Sequence, residues 1–176
     1  WVARRYGRPR TLFVVRHPCA VALSEHVRSI DPKRSIELIL ADPGFDAVLS
    51  DRQKDILRKA STPFEGYGAV WAARNSIFDR TRHDHPEWRL VRYEDLAADP
   101  VARFTELYAW AGLEMTDDVR RRIEATTSTE EAGHYATSKD ARAHIDKWRG
   151  ELTADQVQEV IRSVRAFGLS GDVAPQ

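Results

Sequence analysis

Apolar positions along the chain follow two different periods. Residues 11–15 (TLFVV) form a short, β-branched apolar run that ends at Arg16, and residues 88–93 (WRLVRY) form a second; both read as strands. Elsewhere the spacing is helical. A helix is predicted over roughly 18–29, and others over 36–40 and 45–60. Over 64–83 the residues Tyr67, Val70, Trp71, Ile77 and Phe78 share one stripe. Asp99 and Pro100 suit the N-cap and first positions of a helix that turns Phe104, Leu107, Tyr108 and Ala111 inward and stops at Gly112. A short helix follows over about 117–126. Thr153 and Gln156 make a capping box for a last helix with Val157, Val160, Ile161 and Val164 on its apolar face.

The two strands are about seventy residues apart, which requires a crossover, and parallel strands are normally covered on both faces. The pattern therefore predicts an α/β protein whose sheet is a poor core by itself, so that the chain alone is poorly stable. The 176 residues suit one domain over 1–176. No internal repeat, low-complexity tract or linker interrupts them.

Charge and cysteine content narrow the picture. The formal net charge is zero, so no global field recruits nucleic acid or an anionic membrane, and any anion site must be local. No run of about 18 apolar residues is present, and no transmembrane helix is expected. Cys19 is the only cysteine and cannot form an internal disulfide, which favours a reducing, cytoplasmic setting.

The candidate chemistry lies where the first strand ends. Arg16 falls at its carboxyl end and Ser24 within the first turns of the following helix. Ligands of open α/β sheets sit at that edge. A guanidinium beside a helix amino terminus suits a phosphate, because its fork donates charge-assisted hydrogen bonds. Taken alone, the segment reads better as a buried strand with a surface arginine and a helix-capping network.

Three segments together resemble the sulfotransferases, whose donor is 3′-phosphoadenosine 5′-phosphosulfate (PAPS). RHPCAVALS (Arg16–Ser24) resembles their 3′-phosphate-binding segment: strand, Arg, an often acidic residue, Pro, and Ser eight positions after the Arg. His17 stands where an acidic residue or asparagine is usual. WRLVRYEDLAADP (88–100) resembles the second strand and its turn, which implies that Tyr93 lies near the adenine. KDARAHIDKWRGELT (139–153) resembles the late basic loop, which implies a phosphate contact for Arg142, with Ala143 in place of the usual glycine. The resemblance implies a partial P-loop-NTPase-like sulfotransferase fold, with few parallel strands and many covering helices. It implies donor-binding residues Arg16, Ser24, Tyr93 and Arg142, PAPS as co-substrate, no metal, no nucleic acid, and a small-molecule or carbohydrate acceptor. It assigns no catalytic residue.

The family opens with a strand, a Gly/Ser/Thr-rich phosphate loop and a helix, and nothing here fits that loop. The glycines before residue 100 are Gly7, Gly44, Gly66 and Gly68, and none leads from a strand into a helix. With Trp1 first and Met115 the sole methionine, the resemblance implies the carboxyl-terminal part of a sulfotransferase domain, inactive alone. A nucleotide-binding, kinase-like relative and a non-catalytic interaction module stay open as alternatives.

Other conspicuous residues have plainer roles. Arg74, on the stripe between Trp71 and Phe78, is expected to pair with a carboxylate or reach solvent. His83 and His85 form an H-x-H pair for which the sequence places no third ligand. Cys19 is expected to be buried and inert, Asp95 to cap a turn or helix, Trp148 to anchor the basic loop, and Arg120–Arg122 to form a solvated helix face.

Overall fold

A computed structural model describes residues 10–127 and 145–169. Strands β1 (Leu12–Val15) and β2 (Arg89–Arg92) lie side by side in parallel, with Leu12 opposite Arg89 and Val15 opposite Arg92. Between them come α1 (Pro18–Val27), α2 (Pro32–Ala41), α3 (Pro43–Val48), α4 (Asp51–Lys59) and α5 (Pro63–Thr81). A 3₁₀ turn over Arg82–Asp84 leads into β2. After β2 come α6 (Tyr93–Ala98), α7 (Pro100–Ala111), α8 (Asp117–Thr127), α9 (Lys147–Glu151) and α10 (Ala154–Ala166). The described residues are thus mostly helical, with one small parallel sheet.

Capping chemistry sets most helix bounds. Asp99 accepts from the Ala102 N–H ahead of Pro100, and Gly112 adopts φ 75° at the other end of α7. Thr153 and Gln156 form both arms of their box. Two expected spans differ. The segment 45–60 is not continuous: Ser50 and Gln53 form a second capping box, which starts α4 and ends the preceding turn at Leu49. The next helix upstream begins at Pro32 rather than residue 36, because the Asp31 carboxylate accepts from the Lys33 N–H and Pro32 fills the first helical position.

The core is built on α5, not on the sheet. Burial runs around much of this helix, from Phe64 and Tyr67 through Ala69, Val70, Ala72 and Ala73 to Phe78, while Ile77 is only half-buried. α10 packs along α5, and α1 and α2 pack against its other sides. Small residues permit this. A Cβ on Gly68 would stand 2.6 Å from the Val160 carbonyl oxygen of α10, so a larger residue there forces the helices apart. Val160 and Val164 of α10 are fully buried, with Val157 and Ile161 packed beside them. On α7 only Pro100 and Leu107 are buried; Phe104, Tyr108 and Ala111 are half-buried.

The sheet leans on this core by one face. Phe13 meets the Phe78 ring at 4.1 Å between centroids, and Val15 is buried. The alternate residues Leu12 and Val14 are 38% and 50% exposed. No helix among the described residues is long and apolar enough to cross a membrane.

Candidate functional site

Both strands run the same way and end at the same edge. The register that sets Val15 opposite Arg92 makes Arg16 and Tyr93 the next pair beyond the ladder. The Arg16 guanidinium carbon lies 4.7 Å from the centre of the Tyr93 ring, a cation–π contact. The Trp71 indole N–H donates to the Arg16 carbonyl at 3.0 Å, so the central helix fixes the backbone as it leaves β1. A buried indole needs an acceptor, and this carbonyl provides one.

His17 organises the next layer. Its Nδ1 accepts from the Cys19 N–H at 3.2 Å, which makes it the N-cap of α1. Its own N–H donates to Glu94 Oε1 at 2.8 Å. Its ring stacks on Trp148, with centroids 4.4 Å apart and planes 8° from parallel, and the Arg149 guanidinium lies 4.5 Å from the centre of the same indole. Trp148 is therefore a packing residue; the basic loop it is expected to anchor lies largely outside the described residues. Cys19 beneath this layer is fully buried; burial pushes its thiol up to about 11, and Arg149 opposes the rise only in part.

A small depression at the strand ends is lined by Val15, Arg16, His17, Trp71, Arg92 and Glu94, among others. Two arginines and one glutamate line it, so formal positive charge is in excess there. Arg92 Nε sits 3.9 Å from Glu94 Oε2. An arrangement of this kind favours a small anion over a cation.

Several of the other conspicuous residues have ordinary partners. Arg74 pairs with Glu25 at 3.5 Å; burial raises the Glu25 carboxyl above the usual carboxylate range, and Arg74 pulls it back in part. His85 stacks on Trp88 at 4.1 Å and shares a hydrogen bond with Glu87 at 3.1 Å. Arg121 pairs with Asp118 on the exposed side of α8. The expectation of a cap at Asp95 is corrected: Asp95 lies inside the first turn of α6, while Arg92 holds the N-cap position without a side-chain bond. Strand β2 runs directly into this helix, so the N-cap falls at Arg92 and Asp95 becomes the third helical residue.

Comparison with known proteins finds carbohydrate sulfotransferases similar in sequence. Carbohydrate sulfotransferase 3 of Homo sapiens is 29% identical over 154 residues, covering 86% of this chain and 30% of that protein. Carbohydrate sulfotransferase 3 of Tetronarce californica is 39% identical over 85 residues, 45% of this chain and 19% of its own length. Carbohydrate sulfotransferase 5 of Mus musculus is 37% identical over 78 residues, 42% of this chain and 20% of its own length. The chain is a relative of the sulfotransferases. It spans less than a third of the length of these curated proteins. No family profile and no solved structure matches it.

In this sulfotransferase relative the structure gathers Arg16 and Tyr93 at one sheet edge. Ser24 is the seventh residue of α1 and half-buried, two turns beyond the N-cap, or about 10 Å along the axis. Arg142 and Ala143 lie outside the described residues. Glu94 and Trp71 are the residues that sequence reasoning did not place at the site. For Trp71 the available signal was its place on the apolar stripe, since an indole N–H buried there needs an acceptor; Glu94 had none.

Proposed function

We propose that this chain supplies the 3′-phosphate and adenine side of a PAPS site in an enzyme that transfers a sulfuryl group to a carbohydrate hydroxyl or amine. The observation that carries the reading is the contact between Arg16 and Tyr93 at the carboxyl edge of the parallel pair. The carbohydrate acceptor follows from the names of the relatives. The full enzyme fold in this reading is P-loop-NTPase-like, with the strands here as part of a larger sheet; the exposed face of Leu12 and Val14 suits cover by a further layer.

The donor set fits the nucleotide. Arg16 and Arg92 are cationic, hydrogen-bond-donating groups that attract a phosphate and repel a metal cation. Tyr93 offers an aromatic surface beside them. Bound PAPS supplies an activated sulfuryl group for in-line transfer to the acceptor. The 3′-phosphate is remote from the reacting sulfur, so Arg16, Ser24 and Arg142 act by binding and orientation and not by proton transfer. Tyr93 sets the base, and Trp148, stacked on His17, holds the chain that follows the basic loop against the strand ends. The chain's contribution to rate is positional.

Competition binding on the complete protein tests this reading. Adenosine 3′,5′-bisphosphate is expected to bind and to resist displacement by ATP. Equal displacement by ATP would favour a kinase-like nucleotide site, and no binding of either would favour an interaction module.

A further inference from the structure

Helix α1 starts with half of a capping box. The complete motif has two arms: the N-cap side chain accepts from a first-turn N–H, and the side chain three residues on accepts from the N-cap N–H. α4 and α10 have both arms from within, Ser50 with Gln53 and Thr153 with Gln156. α1 has only the first, from His17 Nδ1 to the Cys19 N–H. The residue at the second position is Ala20, buried and without an acceptor. The missing arm arrives from 77 residues away, where Glu94 Oε1 accepts the His17 N–H at 2.8 Å.

Glu94 immediately follows Tyr93, as His17 follows Arg16. The Glu94 side chain is only 12% exposed. A sheltered side-chain oxygen that accepts a backbone N–H sets the distance between the two chains. Beyond the pairing of Val15 with Arg92 the two chains leave the sheet for different helices. The bond from His17 to Glu94 acts as one further rung.

We infer that Glu94 is a positioning residue for the Arg16–Tyr93 pair: it completes the cap of α1 from the opposite strand and thereby fixes the guanidinium against the ring. It acts through the His17 backbone and is not itself a phosphate ligand, since a carboxylate repels an anion. This rests on the donor-site reading above.

Two substitutions separate reach from charge. Glu94→Gln keeps the length and an acceptor oxygen and loses the charge. Glu94→Asp keeps the charge and falls one methylene short. Titration calorimetry with adenosine 3′,5′-bisphosphate on the complete protein is expected to show E94Q within about twofold of wild type and E94D weakened by about tenfold, with both retaining wild-type far-UV circular dichroism. Wild-type affinity in E94D, or a loss in E94Q equal to that in E94D, overturns the inference. Amide hydrogen exchange at His17 needs no ligand: protection is expected in wild type and E94Q, and fast exchange in the wild type overturns the inference whatever the nucleotide does. A wild type that is protected at His17 and yet binds no bisphosphate overturns the donor-site reading, and the functional role of Glu94 with it.

Discussion

Arg16 and Tyr93 come from distant parts of the chain and meet with the guanidinium carbon 4.7 Å from the ring centre. Parallel register brings them together: each is the first residue beyond a strand, and the strands end level with each other. The ring then keeps a long, rotamer-rich arginine in one place before any ligand arrives, which reduces the ordering cost of binding. Tyr93→Phe preserves the ring face and is expected to leave adenosine 3′,5′-bisphosphate affinity within about twofold of wild type, whereas Tyr93→Leu weakens it about three- to tenfold in titration calorimetry. Equal affinities in all three proteins would remove the ring from the site.

Trp148 is 7% exposed, with an imidazole on one side and a guanidinium close by. Truncation to alanine leaves a cavity in the cluster that also contains Cys19, Phe64 and Val160. Trp148→Ala is expected to cost about 3–5 kcal/mol, and Trp148→Phe much less. Scanning calorimetry should show a fall in Tm of about 6 °C or more for the alanine variant. A fall below about 2 °C would contradict the packing role.

Glycines 68 and 150 give an internal contrast. A methyl group on Gly68 meets the Val160 carbonyl oxygen at 2.6 Å and its Cα at 3.0 Å, both rigid backbone atoms. On Gly150 it meets nothing within 4 Å. Gly68→Ala is therefore expected to destabilise the protein by about 1–3 kcal/mol despite alanine's helix preference. Gly150→Ala is expected to be neutral or stabilising by up to about 1 kcal/mol. Denaturant titration of both variants checks the order, and a Gly68→Ala protein as stable as wild type would contradict the close approach of α5 and α10.

The Cys19 thiol is pushed up to about 11 by burial. At pH 8 about one thiol in a thousand is ionised, so a disulfide reagent should modify the folded protein negligibly and the guanidinium-unfolded protein fully. The sign for stability follows. The fold favours the neutral thiol, so this contribution is intact below the unfolded value of about 8.5 and is lost as pH rises through about 11. Replacement by alanine should flatten that part of the alkaline stability profile. Rapid modification in the native state would contradict the burial.

Local signals were legible in the sequence, and long-range ones were not. Asp99 with Pro100 and Gly112, and Thr153 with Gln156, mark helix ends through neighbours a few residues apart, and those ends stand as read. The breaks at Asp31 and Ser50 were hidden, because their caps sit inside stretches whose apolar spacing masks them. The burial around α5 was also hidden: Gly66, Gly68, Ala69, Ala72 and Ala73 add little to a hydrophobic stripe, yet their small size admits helices on several sides. Arg16 and Tyr93 stood out by resemblance to a family, while periodicity alone gave no reason to bring them together. The bond from Glu94 to His17 depends on strand register and leaves no local trace.

The most direct test of the donor-site account is calorimetric titration of adenosine 3′,5′-bisphosphate into the complete protein with and without Arg16→Ala. The account predicts measurable binding by wild type and a loss of at least about tenfold in the variant, the loss of one charged hydrogen-bond partner. Unchanged affinity in the folded Arg16→Ala protein would contradict it.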